Sequence, residues 1–572
     1  MTAVTHSTQL QPAEPLTSSV VAQGPDFQNN RAFMEGYVEK VRAVERAIED
    51  KEAGYAERAR KRGKLLPRER LSRLLDRGAP FLELCSIAGY RMFGDTDGST
   101  AGGNLIAGIG FVSGRRCLVT VWNFAINGGT ISSVTVKKML RLQEIALACR
   151  LPIVSLSESG GANLGGGRGS FSGGGPGEEG SGGGDPWGAY TFLDGGRCYA
   201  NQARLSAAGI PQVVVSHGNA TAGGAYHVAL SDYIVLVREK SQIFLAGPPL
   251  LKAATGADAS AEELGGAEMH ATVSGTGEYL AEDDADALRV ARQIVAQLPA
   301  VPPAVDEATV LPPRFDPAEL IGVVPEDPKQ FYDVREIIAR LVDDSRFLEF
   351  SASIDQGTIC GHATLGGHRV GLIGNNAPIT PDGAKKAAQF LQLCDQSMTP
   401  VVLLQNTTGF LVGVQAEQQG QVKHGSKLIQ AVANLRPPKI ALVVGNSYGA
   451  GNYAMASRAL SPDFIFSWPT ARTAVMGGAQ AGKVMEIVAR TKLARAGVEP
   501  DEETLAQIEQ QSERIAAGLD AVSESMYCSA RLFDDGLIDP RDSRKVLRLL
   551  LDTLAETERT PIQPNTFGVQ RL

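Results

Sequence analysis

The chain has 572 residues, 43% of them hydrophobic, and a formal net charge of −8. The length implies more than one domain and the apolar share is ordinary for globular cores, while the acidic balance excludes bulk attraction to nucleic acid or an anionic membrane. No stretch approaches the roughly 18 consecutive apolar residues of a membrane span, and seven scattered cysteines without a C-x-x-C pair exclude a zinc ribbon or a disulfide framework.

Residues 1–30 carry no Lys or Arg and no long apolar core, so they read as a disordered tail and not as a targeting peptide. With the reduced-cysteine pattern this predicts a cytoplasmic protein, and no histidine cluster predicts a metal site. Residues 31–63 alternate charged and apolar groups at helical spacing. "RERLSRLLDRGAPFLEL" (68–84) reads as helix, turn and strand, and "TVKKMLRLQEIA" (135–146) as a helix with Lys137, Lys138 and Arg141 near one end. Strand-like "LPIVSLSESGG" (151–161) is followed by the low-complexity run 165–185 and then by "IPQVVVSHGNATAGGAY" (210–226). Residues 299–328 hold 8 of the 30 prolines and read as an extended linker.

Past the linker the pattern returns. "REIIARLVDDSRFLEF" (335–350) echoes 68–84, with Arg68 on Arg335, Asp76 on Asp343 and, after one deletion, Glu83 on Glu349. "TPVVLLQNTTG" (399–409) echoes 151–161, and "PPKIALVVGNSYGAGNY" (437–453) matches 210–226 without gaps, pairing Pro211 with Pro438 and Tyr226 with Tyr453. Several echoes in one order indicate a duplication. The expected domains are 31–298 and 330–572, joined by 299–329, each alternating strand-like runs with amphipathic segments as in an α/β fold with parallel pairing.

Two motifs mislead. Gly445-Asn446-Ser447-Tyr448-Gly449 fits the G-x-S-x-G elbow of a serine hydrolase, but no histidine follows Ser447 and the duplicate has Ala220 there. Ser447 reads as a turn residue. "GGAQAGKV" (477–484) fits G-x-x-x-x-G-K, but Val484 replaces the Ser/Thr that holds magnesium.

What both copies keep is small residues, Ala222-Gly223-Gly224 and Gly449-Ala450-Gly451. A strand entering a helix through such residues leaves the first amides unpaired and open to a carbonyl oxygen. That is an oxyanion hole, each donor worth about 3–4 kcal/mol in a transition state. Two of them suggest two carbonyl compounds that each become enolate-like; the alternative is tight strand–helix packing.

"NATAGGAYHVALSDY", "IFLAGPPLLKAATG", "QNTTGFLVG", "KHGSKLIQAVA" and "GAGNYAMASRALSPDFIFSWPTAR" resemble the carboxyltransferase (beta) subunit of biotin-dependent acyl-CoA carboxylases, over nearly all of residues 31–572. "SESGGANL", "AGPPLLKAATG" and "GAGNY" look most like the 3-methylcrotonyl-CoA and geranyl-CoA branch. The resemblance implies tandem duplicated crotonase-like (ClpP/crotonase) β-β-α spiral domains and a hexameric ring. It implies that Gly223 and Gly224 hold the thioester oxygen and that Ala450 and Gly451 hold the biotin carbonyl. It further implies that biotin takes the substrate proton, so no side-chain base is needed. Lys137, Lys138 and Arg141 become candidates for CoA phosphates, with a solvated helix face as the alternative. Tyr453 and Trp468 become candidates for the biotin cleft, with an aromatic core as the alternative. His217 and His227 flank the first turn without an obvious acid partner and read as packing or polar surface residues.

No biotinylation site of A-M-K-M type and no ATP-binding motif occurs in the chain, so the resemblance implies a separate biotin carboxylase and biotin carrier (alpha) partner. Run 165–185 is more glycine-rich than the family's loop, and Gly195-Gly196-Arg197 stands where methylcrotonyl enzymes carry a bulky aromatic before Gly-Arg. A roomier acyl pocket is one reading and a surface loop without substrate role the other. A decarboxylase or transcarboxylase subunit and a propionyl- or acetyl-type carboxylase remain as alternatives, with the serine hydrolase last.

Overall fold

The computed structural model describes all residues except 1–12, 93–94, 162–187, 300, 302–304, 328–329, 558, 561–562 and 570–572. Run 165–185 lies outside the described residues. The chain divides into two compact units that interleave in sequence. One comprises Glu39–Ala304, Met526–Leu537 and Asp552–Leu572; the other comprises Met1–Val38, Val305–Ser525 and Ile538–Leu551. This differs from the linear cut at 299–329.

The first unit holds an eight-stranded sheet of β1 (Leu82–Glu83), β2 (Leu105–Val112), β3 (Arg115–Trp122), β4 (Ile153–Ser159), β5 (Gln212–Thr221), β6 (Tyr233–Val237), β7 (Gln242–Phe244) and β8 (Tyr279–Ala281). β1–β3 are antiparallel, and β3 to β6 run parallel with β8 beyond them. Every residue of β3 and β4 is buried, as expected of Val/Ile-rich parallel strands covered on both faces. Its helices include α1 (Pro67–Leu74), the crossover α2 (Ser133–Ala148), α3 (Gly188–Ala207), α4 (Gly223–Ala229) and α5 (Asp284–Ala296).

The other unit repeats the plan with β9 (Phe347–Glu349), β10 (Thr358–Leu365), β11 (His368–Asn375), β12 (Val401–Thr407), β13 (Lys439–Tyr448), β14 (Phe464–Ser467) and β15 (Arg472–Ala474). Its helices include α6 (Val334–Leu341), α7 (Pro381–Gln396), α8 (Gln421–Ala433), α9 (Gly449–Ala454), α10 (Gly478–Arg495) and α11 (Glu502–Ser523). The crossover helices α2 and α7 are both 16 residues long and start on hydroxyl caps, Ser132 and Thr380, each worth ~1 kcal/mol.

The duplication reaches individual ion pairs. Arg68 bonds Glu83 at 3.0 Å and Arg335 bonds Glu349 at 2.6 Å. Asp76 accepts from the amides of Ser113 and Gly114, clamping the β2–β3 hairpin, and Asp343 does the same with Gly366 and Gly367 at β10–β11. Arg292 and Arg544 complete the two clamps, at 2.7 and 2.6 Å from Asp76 and Asp343. That last correspondence has no counterpart among the sequence echoes.

Two boundary expectations need correction. Residues 13–30 are not a tail: Leu16 N donates to Ser345 O, Ser18 and Ser19 bind the Glu336 carboxylate, and a helix starts at Pro25. The C-terminal expected domain also gives segments to the first unit. Asp535 takes Arg141 at 2.8 Å and Glu556 takes Arg116 at 2.8 Å. No helix among the described residues is long and apolar enough to cross a membrane.

Candidate active site

Each unit carries one glycine turn, built the same way. In the first, β4 and β5 pair in register from Ile153–Gln212 to Ser157–Ser216, then shift so that Ser159 faces Ala220. In the second, β12 and β13 pair from Val401–Lys439 to Gln405–Val443, then shift so that Thr407 faces Ser447. Past that irregularity β5 and β13 also pair with the short strands β7 and β15.

The backbone then reverses at Ala222 (φ 52, ψ −114) and at Gly449 (φ 56). Gly449 adopts this φ without steric penalty; for Ala222 it costs on the order of 1–3 kcal/mol, a strain typical of functional sites. Gly223 and Gly224 open α4, and Ala450 and Gly451 lie in the first turn of α9. Outside the helices' own ladders, none of the described residues accepts a hydrogen bond from these four amides. The helices have only 7 and 6 residues, so the amides themselves and not a macrodipole supply the attraction.

Sterics distinguish the two turns. A Cβ on Gly451 would come 2.8 Å from Gly409 Cα, whereas one on Gly224 would meet nothing closer than Ser159 Cβ at 3.8 Å. Beside each turn runs the loop that ends the echoed stretches 151–161 and 399–409, Gly161 near Thr221 O and Gly409 near Tyr448 O. Gly161 N donates to Ser159 Oγ and Gly409 N to Thr407 Oγ1, both at 3.2 Å. The signal was present in "SESGG" and "QNTTG", where a hydroxyl precedes a glycine by two positions.

Other residues move from their expected roles. Lys138 is wholly buried and donates to the carbonyls of Cys85, Gly102 and Leu105 at 3.0, 3.1 and 2.6 Å. Its side chain stabilises the β1–β2 connection and is out of reach of a phosphate. Arg141 is held by both oxygens of Asp535 at 2.8 and 3.0 Å, which ties down its guanidinium. Lys137 is exposed on the same helix. Trp468 is 0% exposed and its Nε1 donates to Ser543 Oγ at 2.9 Å, so it belongs to the core and not to a cleft. Tyr453 stands on α9 beside the second turn, 48% exposed, as Tyr226 stands on α4 beside the first at 50%.

Ser447 is buried, donating to Gln405 Oε1 at 2.7 Å and accepting from Asn452 Nδ2 at 2.8 Å. Neither amide can take a proton, so the elbow reading fails on chemistry. Gly478 and Gly482 pack α10 against α11, where a Cβ would strike Ala516 O or Ser512 O. Gly478 N donates to the Asp520 carboxylate at 3.0 Å, which occupies the helix start a phosphate would need.

His217 does have an acid partner. Its Nδ1 lies 2.8 Å from Asp284 Oδ1 on α5. Asp284 also binds Arg70, which reaches Glu158 at 2.8 Å, and Glu158 binds Lys64 at 2.5 Å. This ion network lies directly behind Gly218, where a Cβ would come 2.7 Å from both Glu158 and Lys64 Nζ. At the duplicate position Gly445 the neighbours are neutral, Asn406 and Tyr332. Both ring nitrogens of His227 are buried without a hydrogen-bond partner among the described residues, and their desolvation pushes its pKa down to about 4. Among the described residues no group of His, Cys, Asp or Glu is arranged to hold a metal ion.

The fold is duplicated and parallel-rich, with one small-residue turn in each half, strained at Ala222 and relaxed at Gly449, whose helix-opening amides meet no acceptor among the described residues outside their own helices. The model of the carboxyl transferase domain matches residues 58–176 and 179–567, and the chain belongs to that family. It is 45% identical over 529 residues to the biotin-dependent 3-methylcrotonyl-coenzyme A carboxylase beta1 subunit of Mycobacterium tuberculosis, covering 91% of this chain and 94% of that one. It is 41% identical over 557 residues to the mitochondrial methylcrotonoyl-CoA carboxylase beta chain of Arabidopsis thaliana, covering 96% and 90%. The crystal structure of the geranyl-CoA carboxylase beta subunit of P. aeruginosa matches at TM-score 0.86 and 53% identity, covering 98% of this chain and 100% of that one.

Proposed function

We propose that the chain is the carboxyltransferase subunit of a biotin-dependent acyl-CoA carboxylase, acting on the γ-carbon of a 3-methyl-2-enoyl-CoA of methylcrotonyl or geranyl type. The observation that carries this reading is the pair of equivalent turns, each with amides free to meet an oxygen. Gly223 and Gly224 hold the thioester oxygen and Ala450 and Gly451 the ureido oxygen of biotin. The lack of acceptors for these amides among the described residues, outside the helices' own ladders, fits a carbonyl oxygen at both places.

Carboxybiotin, delivered by a separate alpha subunit, supplies the CO₂ and the nitrogen that takes the substrate proton. The first turn does the rest: its amides lower the energy of the dienolate left when the γ-C–H breaks. The electron pair released there forms the new bond to CO₂. Lys137 on α2 faces solvent and is the remaining candidate of its group for a CoA phosphate. Tyr453 lines the biotin side. Among the described residues no heavy atom lies within 4 Å of where a Cβ on Gly195 or Gly196 of α3 would stand, which fits a roomy acyl pocket.

The subunit works in the cytoplasm as a homo-oligomeric, six-membered ring. Exposed apolar side chains beside each turn, Leu245 at 58% and Val475 at 75%, favour a surface that another copy covers. The test is a streptavidin blot of what copurifies with the chain, followed by ¹⁴C-bicarbonate fixation onto 3-methylcrotonyl-, geranyl-, propionyl- and acetyl-CoA. ATP- and avidin-sensitive fixation with a branched enoyl-CoA preferred supports the reading. No biotin protein and no fixation would return the turns to biotin-independent thioester chemistry.

A further inference from the structure

Gly223 and Ala450 occupy equivalent positions, yet only the first lacks a Cβ. The reason is a side chain from α3. A Cβ on Gly223 would collide with the hydroxyl of Tyr199, and the next atom of that ring, Cζ, stands 3.5 Å away. In the frame that pairs Pro211 with Pro438, Tyr199 corresponds to Ser426 on α8, whose Oγ is turned back to Lys423 O at 2.9 Å. Tyrosine with glycine in one half and serine with alanine in the other is the pattern expected if the hydroxyl needs the space beside the amide.

The tyrosine is held there from both sides. Gln143 on α2 donates to Cys198 O at 2.8 Å, fixing the residue before it. Gln202, one turn further along α3, donates to His227 O at 2.8 Å at the far end of α4. The ring packs edge-on against Tyr226 with centroids 6.2 Å apart. None of the described residues hydrogen-bonds with Tyr199 Oη. Burial pushes its pKa up to about 12, so the proton stays on the oxygen at any physiological pH.

We propose that the Tyr199 hydroxyl is a third hydrogen-bond donor to the thioester oxygen held by the amides of Gly223 and Gly224, an addition specific to the acyl-CoA half. The inference rests on the acyl-CoA carboxylase reading. A thioester dienolate carries more charge on its oxygen than the ground-state carbonyl, so an added donor strengthens in the transition state and raises kcat more than it lowers KM. No proton is transferred; the phenol remains neutral throughout.

The test is Tyr199→Phe, which keeps the ring, its packing and the space. Wild type and variant are assembled with the copurifying biotin-carrying subunit and assayed with 3-methylcrotonyl-CoA and geranyl-CoA. Affinity of the chain for each acyl-CoA is measured by calorimetry. The expected result is a fall of about 100- to 1,000-fold in kcat, with acyl-CoA affinity and Tm as in wild type. As a second variant, Gly223→Ala should be far less active than Tyr199→Phe/Gly223→Ala, because removing the hydroxyl relieves the collision. Wild-type kcat in Tyr199→Phe, or a loss confined to affinity, overturns the donor. Failure of the wild-type complex to carboxylate either thioester overturns the carboxylase reading itself, and the donor with it.

Discussion

His217 Nδ1 and Asp284 Oδ1 meet at 2.8 Å in a part of the first unit where both side chains are buried. The carboxylate is shared with Arg70 Nε at 3.0 Å and Leu65 N at 2.9 Å. Burial works against its charge, but the His217 and Arg70 contacts more than compensate and hold it well below the usual carboxylate range. Burial and the neighbouring Arg70 push His217 down, so the imidazole is neutral and presents Nδ1–H to the carboxylate. Lys64, Arg70, Glu158 and Asp284 then balance in charge behind the strand that ends in the first turn.

Removing one member leaves its partners uncompensated, which costs about 3–5 kcal/mol in a buried network. Asp284→Asn should therefore lower the Tm by several degrees. A folded-state pKa depressed below the unfolded value contributes stability above about pH 4 and loses it as pH falls through the folded value. Thermal melts of wild type and variant should accordingly converge as the pH falls below about 4. A constant gap through that window would assign the loss to packing instead.

His227 titrates in a different window. Its folded pKa near 4 lies below the unfolded value of about 6.5, so protons bind preferentially to the unfolded chain between those limits. Stability is full above about pH 6.5 and falls on acidification by about 3 kcal/mol in all at pH 4. His227→Gln should remove that slope. Urea midpoints at pH 7.5 and 5 measure it, and an unchanged slope in the variant would show another group is responsible.

The two turns should respond differently to one added methyl. Gly451→Ala drives a Cβ to 2.8 Å from Gly409 Cα, whereas Gly224→Ala makes only ordinary contacts. Overpacking of that kind costs about 1–3 kcal/mol. Differential scanning calorimetry should show a lowered Tm for Gly451→Ala and a wild-type Tm for Gly224→Ala. Equal Tm values would mean the second turn relaxes freely.

Lys138 and Lys137 are neighbours with opposite surroundings, the first buried and the second exposed. Lys138→Met strands three buried carbonyls and should destabilise the protein by about 3 kcal/mol or more. Lys137→Ala should leave Tm unchanged and raise KM for acyl-CoA severalfold at low salt, the effect shrinking as screening increases. A salt-independent KM equal to that of wild type would remove Lys137 from the CoA site.

Much of this was legible from sequence because the chain states it twice. The echoes over 68–84, 151–161 and 210–226 place the strands and the turns, which depend on residues close together in the chain. The aromatic and cationic roles were not legible. Trp468 in a conspicuous motif gives no sign of whether its indole faces a cleft or Ser543, and Lys138 and Lys137 differ only by one helical step of 100°. His217 had an acid partner after all, 67 positions away on α5, beyond any local pattern.

The sequence by itself determined the duplicated α/β plan, the two small-residue turns and the failure of the serine elbow, since strand periodicity, residue size and the missing histidine are properties of the chain alone. Only the tertiary structure decided which charges are spent internally and why Gly223 differs from Ala450. Burial and partnership are set by segments far apart in sequence: Asp535 reaches back to Arg141, Glu556 to Arg116, and Tyr199 on α3 to the turn before α4. Desolvation makes each of those contacts selective for one partner, and no one-dimensional pattern carries that information.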